Sequence, residues 1–385
     1  MFTPTTPTPA LEPCFQGLPE LAEQSVGLSD PNPRVACRLV LANGQVFEGH
    51  TQAAGQAHAE AMALQAALAA GADTQGAHAI VTLEPCSHHG RTPPCADALV
   101  RAGVSRVTVA LQDPNPLVAG QGIARLRAAG IQVEVLANNH PLAVHTRDLN
   151  IGFLHRMRTG LPWVRMKVAA SMDGITALPN GVSQWITSEA ARTDGHAWRR
   201  RAGAVLTGIG TVLEDDPRLD VRLVSTPQQP IRVVVDSQLD TPPTARIVQP
   251  PGTVWLFTAA DAATQPQRHQ GLQAAGVQLI HCPGANKTPG GPAKVDLRAM
   301  LADLGQRQIN ELHVEAGHKL NGSFLREGLV DEVLLYMAPT LLGQGAGLSN
   351  FGPLQSLDQG IAMQWVSAHA VGADLCLRAR RTVLL

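Results

Sequence analysis

The sequence predicts an α/β protein with two domains, each built on a parallel or mixed sheet that helices cover. Two observations support this fold class. Short apolar, β-rich runs alternate along the chain with Ala- and Leu-rich helical stretches, which is the pattern of a helix-covered sheet. The 385 residues also exceed one ordinary core, because domains usually hold about 100 to 200 residues.

The first domain is predicted to contain four strands and three helices. The strands are expected at residues 35–41, 79–83, 104–111 and 131–136. The helices are expected at residues 58–70, 95–102 and 120–129, and each is followed by a glycine that can end it, namely Gly71, Gly103 and Gly130. A polar, basic connector is predicted to follow at residues 138–162.

The second domain begins after this connector with a new series of strands. They are expected at residues 163–171, 205–210, 231–237, 254–258, 278–282, 311–317 and 331–339. Residues 225–230 and 283–294 are rich in proline, glycine and polar residues and are predicted to be loops. We therefore expect a disordered extension at residues 1–14, one domain at 15–155 and another at 156–385.

Composition and charge favour an enzyme that acts on a small molecule. The formal net charge is -1, so the chain lacks the basic surface that nucleic acids or anionic membranes attract. No run approaches 18 apolar residues, and the Thr/Pro-rich N-terminus does not resemble a signal peptide. We expect a cytoplasmic protein without nucleic-acid or membrane partners; the sequence leaves its oligomeric state open, a homo-oligomer included.

The strongest chemical signal is a set of metal-ligand residue types in the first domain. His58 and Glu60 open a predicted helix, Cys86 follows Pro85, and Cys95 begins another helix after two prolines. Zinc deaminases hold Zn²⁺ with one histidine and two cysteines, and a nearby glutamate that is not a ligand moves protons. We therefore predict His58, Cys86 and Cys95 as zinc ligands. The other four cysteines, Cys14, Cys37, Cys282 and Cys376, are interpreted as ordinary thiols.

Three protein ligands leave one tetrahedral position for water, which is the arrangement of a catalytic zinc. Glu60 can then carry the proton of that water to the substrate. Residues two apart diverge inside a helix, but in a first turn that faces the site His58 and Glu60 can both point inward. The competing interpretation is a structural zinc with a fourth ligand, for which His88 and His89 are the nearby candidates.

These residues resemble one known family. The strings at 31–35 (PNPRV), 58–64 (HAEAMAL), 82–99 (TLEPCSHHGRTPPCADAL) and 112–122 (QDPNPLVAGQG) are similar to the deaminase half of the bifunctional diaminohydroxyphosphoribosylaminopyrimidine deaminase / 5-amino-6-(5-phosphoribosylamino)uracil reductase. Eight residues separate Cys86 from Cys95, whereas cytidine and tRNA-adenosine deaminases usually have two between their cysteines. The second domain resembles the reductase half at 152–174, 183–187, 208–219, 234–238, 314–332 and 338–343.

The resemblance implies a cytidine-deaminase-like first domain and a dihydrofolate-reductase-like second domain. The first would use zinc to deaminate 2,5-diamino-6-(5-phosphoribosylamino)pyrimidin-4(3H)-one, and the second would use NADPH to reduce the ribosyl group to ribityl. The zinc ligands of the family fall on His58, Cys86 and Cys95, and its proton carrier falls on Glu60.

The resemblance also implies contacts in the reductase domain. Cofactor contacts fall on Ala169, Trp185, Thr211, Asp215, Ser237, Gly317, His318, Lys319, Leu320, Asn321, Gly322 and Ser323. Substrate contacts fall on Ser183, Arg199, Leu219, Arg222 and Glu315.

Several of these positions have a physical reason of their own. Residues 317–323 lie between a strand and a helix, where a phosphate-binding loop is expected. The guanidinium groups of Arg199 and Arg222 suit a substrate phosphate, although Arg199 could instead solvate a helix end. Lys167 and Asp173 are further candidates for polar contacts, with a strand-to-loop ion pair as the alternative.

The sequence departs from the family at a few positions. Ile175 replaces the usual arginine after Ser-x-Asp-Gly, His318 and Lys319 stand where Pro-Thr is typical, and Ala36 and Arg38 interrupt a Gly-Cys-Val run. Three alternatives stay open: a deaminase whose reductase domain is only a scaffold, a base or nucleoside deaminase with an unrelated C-terminal module, and a zinc-stabilised binding protein.

Overall fold

The computed structural model describes residues 11–87, 93–116, 118–249, 251–285 and 291–382. The chain divides into two compact units, residues 1–160 and 161–385. The predicted boundary between residues 155 and 156 would fall inside a helix, Ile151–Thr159. Residues 1–10 of the predicted disordered extension lie outside the described part of the chain, and Pro13–Phe15 form a 3-10 turn.

The first unit contains a five-stranded mixed sheet. In chain order its strands are β1 Ala36–Val40, β2 Val46–His50, β3 His78–Val81, β4 Arg106–Val109 and β5 Gln132–Val135. Their order across the sheet is β2-β1-β3-β4-β5. β1 is antiparallel to β2 and β3, whereas β3, β4 and β5 are parallel. The carboxyl ends of β3, β4 and β5 therefore meet at one edge.

In the described part of this unit the sheet is covered by six helices, at α1 Leu18–Glu23, α2 Ala59–Ala69, α3 Cys95–Arg101, α4 Gln121–Ala128, α5 Pro141–Leu149 and α6 Ile151–Thr159. α2 buries the small side chains of Ala59, Ala63 and Ala67, which lie four residues apart on one face. It ends where Gly71 adopts a left-handed conformation, and the amides of Ala72 and Gly71 bond back to Ala67 and Leu68.

The predicted connector at residues 138–162 is wrong in one respect, because most of it is helical. α5 and α6 occupy this stretch, and Leu142, Ala143, Thr146 and Leu149 form the buried face of α5. Phe153 and Leu154 of α6 belong to the main core of the first unit. The charged residues on the outer faces gave the segment the composition of a linker.

The second unit contains a nine-stranded sheet. Its strands are β6 Trp163–Ser171, β8 Ala204–Gly208, β9 Ile231–Val235, β10 Val254–Thr258, β11 Gln278–His281, β12 Glu311–Val314, β13 Glu332–Ala338, β15 Met363–Val371 and β16 Asp374–Arg381. Their order is β11-β10-β9-β8-β12-β6-β13-β16-β15, parallel from β11 to β13 and antiparallel at β16 and β15. β7 Ile175–Ala177 and β14 Ala346–Gly347 form a separate small pair.

The helices of this unit are α7 Glu189–Arg201, α8 Ile209–Asp215, α9 Pro266–Ala274, α10 Leu297–Gln306 and α11 His318–Arg326. The predicted loop at residues 317–323 is corrected by α11. Gly317 is the N-cap, with an extended backbone rather than a left-handed one, and helix begins at the next residue. Strand β12 ends at Val314, so only Glu315, Ala316 and Gly317 connect the two elements.

A buried ion cluster joins strands β6, β12, β13 and β16. Arg165 is fully buried, and its guanidinium donates to Glu332 at 2.5 Å and to Glu311 at 2.8 Å. Arg378 and Arg380 also pair with Glu332, at 3.2 Å and 2.7 Å. Each buried charge thus has an opposite charge in hydrogen-bond contact, as burial requires.

No helix in the described parts of the chain is both long and apolar enough to cross a bilayer.

Candidate functional site

The predicted zinc residues lie at the N-termini of two helices in the first unit. His58 is the N-cap of α2, with an extended backbone, so its side chain leaves the helical series. Cys95 is the first residue of α3 and follows the N-cap Pro94. Cys86 lies beyond the end of β3, and its sulfur accepts the Cys95 amide at 3.3 Å. The sequence-based placement of both helix starts is confirmed.

The three side chains form a cluster with the dimensions of a zinc site. The Nδ1 atom of His58 is 3.6 Å from the Sγ atom of Cys86 and 3.5 Å from that of Cys95. A tetrahedral zinc with Zn–S of about 2.3 Å and Zn–N of about 2.0 to 2.1 Å requires a sulfur-to-nitrogen separation of about 3.6 Å. All ligand atoms lie within 4.8 Å of one another. The donor set therefore fits zinc.

Among the residues that the structure describes, no fourth histidine, cysteine or carboxylate belongs to this cluster. The two histidines that could convert it into a structural site, His88 and His89, lie outside the described residues.

Hydrogen bonds, neighbouring charges and burial shift the pKa values of the three predicted zinc ligands. Hydrogen bonds from Cys95 and His58 lower the pKa of Cys86 to about 4. The contact with Cys86 raises the pKa of His58, and the neighbouring Cys86 and burial raise that of Cys95. Cys86 is therefore a thiolate, and zinc binding would release any proton that His58 or Cys95 holds.

Glu60 lies in the first turn of α2 and is 3% exposed. Burial raises its pKa, and the negative charge of Cys86 raises it further. A carboxyl group that resists ionisation beside the ligand cluster can hold and return a proton.

A cavity of about 550 Å³ opens at the carboxyl edge of β4 and β5 in the same unit. Gln112, Asp113 and Asn138 line it, together with Arg158 of α6. Burial raises the pKa of Asp113 to about 7, and the charges of Glu84 and Cys86 contribute. This carboxyl group therefore lies within electrostatic reach of the zinc cluster, a relation that the sequence did not reveal.

The second unit has a larger cavity of about 600 Å³. The five predicted substrate contacts all line it: Ser183, Arg199, Leu219, Arg222 and Glu315. Seven of the predicted cofactor contacts line it as well: Ala169, Trp185, Thr211, Asp215, Gly317, His318 and Asn321. The structure thus brings most of the predicted reductase residues to one place.

Five predicted cofactor contacts do not line this cavity: Ser237, Lys319, Leu320, Gly322 and Ser323. The hydroxyl of Ser237 accepts the Val295 amide at 3.1 Å. The others lie on the remaining faces of α11; Gly322, for example, packs so closely on the carbonyl of Asn350 that a Cβ would lie 2.0 Å from it. Because residues 318–323 are helical, their side chains lie on different faces of α11, whereas a loop could have directed all of them into the cavity.

Glu315 lies at the centre of a charged group within this cavity. Arg199 donates to both carboxylate oxygens, at 2.5 Å and 2.9 Å, and its third nitrogen donates to the carbonyl of Asp220 at 2.9 Å. The Nζ atom of Lys167 is 3.8 Å from Glu315. Although burial alone would raise it, Arg199 and Lys167 hold the pKa of Glu315 well below its usual range. Glu315 is therefore an anion.

Lys167 reaches the cavity, whereas Asp173 does not. Burial lowers the pKa of Lys167. Asp173 instead anchors a loop, since its carboxylate accepts the amides of Leu342 and Gly343 at 3.1 Å and 2.7 Å. Of these two candidates Lys167 alone lines the cavity, where it lies beside Glu315, and its contact with a ligand stays a prediction.

His196 and Arg192 are two of the polar residues of this cavity that the sequence did not predict. His196 accepts the Arg222 amide at 3.1 Å, and burial beside two arginines lowers its pKa to about 4. Arg192 lies over the ring of Trp185 at 4.5 Å and donates to the carbonyl of Thr187 at 2.8 Å. Their position on α7, three and seven residues before Arg199, is the helical spacing that could have indicated them.

Asn321 provides a test of whether the cavity suits a dinucleotide. It is 1% exposed and lines the cavity, and its Oδ1 atom has no hydrogen-bond partner among the described residues. The first amides of α11 also have no acceptor within the helix, as at any helix start. A helix N-terminus of this kind suits phosphate groups, so these residues fit NADPH.

Comparison with known proteins separates the two units in the same way. Residues 11–111 match the model for the cytidine and deoxycytidylate deaminase zinc-binding region, and residues 162–377 match that for the RibD C-terminal domain. The riboflavin biosynthesis protein RibD of Escherichia coli is 44% identical over 372 residues, which are 93% of this chain and 96% of that protein. The chain belongs to the RibD family.

Solved RibD structures agree with this assignment. Acinetobacter baumannii RibD is 40% identical and superposes with a TM-score of 0.82 over 96% of this chain and 98% of its own. A diaminohydroxyphosphoribosylaminopyrimidine deaminase / 5-amino-6-(5-phosphoribosylamino)uracil reductase from Thermotoga maritima is 30% identical, with a TM-score of 0.81 over 94% and 96% of the chains.

RibD membership confirms the predicted fold class, a cytidine-deaminase-like domain followed by a dihydrofolate-reductase-like domain. It also confirms the resemblance on which the zinc and NADPH predictions rest. The alternative of an unrelated C-terminal module is wrong, because that module matches the RibD C-terminal domain.

Proposed function

We propose that this chain catalyses two consecutive steps of riboflavin biosynthesis. The first unit hydrolyses the 2-amino group of 2,5-diamino-6-(5-phosphoribosylamino)pyrimidin-4(3H)-one. The second unit reduces the ribosyl group of the product to ribityl. The observation that carries this proposal is the triangle of His58, Cys86 and Cys95, whose spacing fits a three-ligand zinc beside a buried Glu60.

In the deamination, His58, Cys86 and Cys95 would hold the zinc ion. When bound, zinc acidifies a water molecule so that hydroxide is present at neutral pH. Glu60 would take one proton of that water and deliver it to the ring nitrogen as the water oxygen adds to the carbon that bears the amino group. It would then take the second proton from the same oxygen, which becomes the carbonyl oxygen, and deliver it to the amino group, which leaves as ammonia. Its raised pKa supports this task, since a carboxylate that is ionised too readily would not return the proton.

In the reduction, NADPH would supply the hydride. The start of α11, with Gly317, His318 and Asn321, would hold cofactor phosphate groups. Arg222 pairs with Asp220 at the edge of the cavity, and it would bind the substrate phosphate. Arg199 is engaged by Glu315, so its contribution to substrate binding would be to hold that carboxylate in place.

The near-neutral net charge supports a small-molecule substrate rather than a nucleic acid. The homo-oligomer and the cytoplasmic location stay predictions.

The proposal is tested by incubating the purified chain with the diaminopyrimidine phosphoribosyl substrate. We expect ammonia release without NADPH, and loss of NADPH absorbance at 340 nm only after the deaminated intermediate has formed. Ammonia release without any later NADPH oxidation would show that the reductase unit is only a scaffold. No ammonia release from zinc-loaded protein would contradict the proposal as a whole.

A further inference from the structure

Glu84 is a buried carboxylate to which the proposed mechanism gives no task. It is 4% exposed and lies two residues before Cys86, in the segment that follows β3. None of the ion pairs in the described structure includes it, so its charge must be compensated in another way.

Backbone amides provide that compensation. The Oε2 atom of Glu84 accepts the amides of Asp113 at 3.3 Å and Gly120 at 3.0 Å, and its Oε1 atom accepts that of Ile123 at 3.1 Å. Ile123 is the third residue of α4, where the amide has no acceptor within the helix. One carboxylate therefore holds both ends of the segment 113–123.

This segment forms a wall of the 550 Å³ cavity through Gln112, Asp113, Pro114 and Ala119. Two backbone contacts join it further to the residues before Cys86. The amide of Glu84 donates to the carbonyl of Leu111 at 2.9 Å. A Cβ on Gly122 would lie 2.0 Å from the Pro85 carbonyl, so α4 rests directly on the chain that leads to the zinc ligand.

We propose that Glu84 is a positioning residue of the deaminase, which fixes the cavity wall formed by Gln112, Asp113, Pro114 and Ala119 relative to Cys86. The inference rests on the proposed function, because it assigns that cavity to the substrate of the zinc site. Glu84 touches neither the ligand cluster nor the cavity; it acts through the segment that its carboxylate holds.

The Glu84→Gln variant separates this role from a general effect on stability. Glutamine keeps the size of the side chain but replaces one carboxylate oxygen with an NH2 group. This group is a donor, so it cannot accept a hydrogen bond from the backbone N–H that faces it. The wall should loosen while the three zinc ligands stay in place. A misplacement of about 1 Å by a mutation away from the reacting atoms can cost about 100-fold in rate. We expect kcat/KM to fall by up to about that factor, mainly through a higher KM.

The experiment measures four quantities on the full chain: zinc content, deaminase kcat and KM, amide exchange of peptides that span 111–123, and NADPH-dependent reduction. Asp97→Asn is the matched control, since it removes a carboxylate that pairs with Arg125 between α3 and α4 without touching these amides. The proposal expects normal zinc, a raised KM and faster exchange in Glu84→Gln, with an unchanged control and unchanged reduction.

An unchanged KM with unchanged exchange in Glu84→Gln would overturn the proposal. So would a loss of zinc with normal exchange, which would place Glu84 in the metal site. If this variant does not fold, Glu84→Asp keeps the charge and must still raise the KM. If the wild type releases no ammonia, the proposed function fails, and the exchange of 111–123 in the variants alone decides whether Glu84 holds the wall.

Discussion

His58 shows how the backbone of one residue shapes the deaminase site. It is the N-cap of α2 with φ -80° and ψ 168°, whereas Glu60 is already helical. The change of backbone conformation between them lets residues two apart serve the same site, as the sequence analysis required. Residue types and spacing were enough to predict this group. They could not predict Glu84, because a buried glutamate that accepts backbone amides has the same sequence signature as an exposed one.

Replacing Glu60 tests the proton carrier directly. We expect Glu60→Gln to keep its zinc and to lower the deaminase rate by about 100-fold or more, because the amide cannot transfer the proton. The measurement is ammonia release together with metal analysis. Glu20→Gln, an exposed acid in the first turn of α1, is the matched control and should retain full activity. If the two variants released ammonia at equal rates, Glu60 would not be the proton carrier.

Helices and strands bring these residues together, and here the sequence was only partly sufficient. It predicted α2, α3 and α4 to within about one residue at each end. It did not predict α5 and α6, although Leu142, Thr146 and Leu149 follow helical spacing. Residues 317–323 were predicted as a loop because two glycines suggested a turn. Instead Gly317 caps α11, and Gly322 lies inside this helix, where the absence of a side chain lets the carbonyl of Asn350 approach closely.

Gly122 lies at the start of α4, where this helix contacts the chain segment that leads to Cys86. A Cβ on Gly122 would meet the Pro85 carbonyl, so Gly122→Ala should displace α4 or the segment before Cys86, at a cost of about 1 to 3 kcal/mol. The temperature that inactivates half of the deaminase should fall. Gly210→Ala is the control, because Gly210 is also the second residue of its helix and a Cβ there meets nothing within 4 Å. An equal effect of both substitutions would contradict this packing.

The ion cluster of β6, β12, β13 and β16 predicts a pH dependence. Burial alone would raise the pKa of Glu332, but Arg165, Arg378 and Arg380 hold it well below its usual range. Because the pKa in the unfolded chain is about 4.3, this stabilisation is present above about pH 4 and is lost as the pH falls towards the folded value.

Glu332→Gln should lower the free energy of unfolding of the second unit by about 3 to 5 kcal/mol at pH 7, because it leaves buried arginines without a counter-charge. The difference from wild type should narrow below about pH 4. Urea unfolding followed by tryptophan fluorescence reports on this unit, since all 5 tryptophans lie at residues 163–365. Asp303→Asn, which breaks a half-exposed pair with Arg307, should change stability by less than about 1 kcal/mol. If the difference in unfolding free energy between Glu332→Gln and wild type stayed the same at every pH, the lowered pKa of Glu332 in the folded protein would be contradicted.

The whole molecule joins two units with different chemistry. The sequence predicted both from their alternating patterns, but not the order of the strands across the second sheet. β12 lies between β8 and β6, although more than 100 residues separate it from β6 along the chain. Packing between residues that are far apart in the sequence decides which strands become neighbours in the sheet. Local sequence patterns do not determine this order. The terminal strands β15 and β16 were missed because β15 is largely exposed, and because the buried residues of β16, Asp374, Cys376 and Ala379, do not form a continuous apolar run.

This division predicts that metal removal affects one activity alone. Every member of the zinc cluster belongs to the first unit, and every residue that lines the 600 Å³ cavity belongs to the second. Treatment with a chelator should abolish ammonia release and leave NADPH-dependent reduction of the deaminated intermediate unchanged. Added Zn²⁺ should restore the first activity. Parallel loss of both activities would show that the reductase also depends on the metal.

The central claim is a zinc ion with three protein ligands, and X-ray absorption at the zinc edge of the purified chain tests it most directly. We predict two sulfur ligands at about 2.3 Å, one imidazole nitrogen at about 2.0 to 2.1 Å and one further light atom from water. A second imidazole or a third sulfur in the first coordination sphere would contradict the open site and, with it, the deaminase.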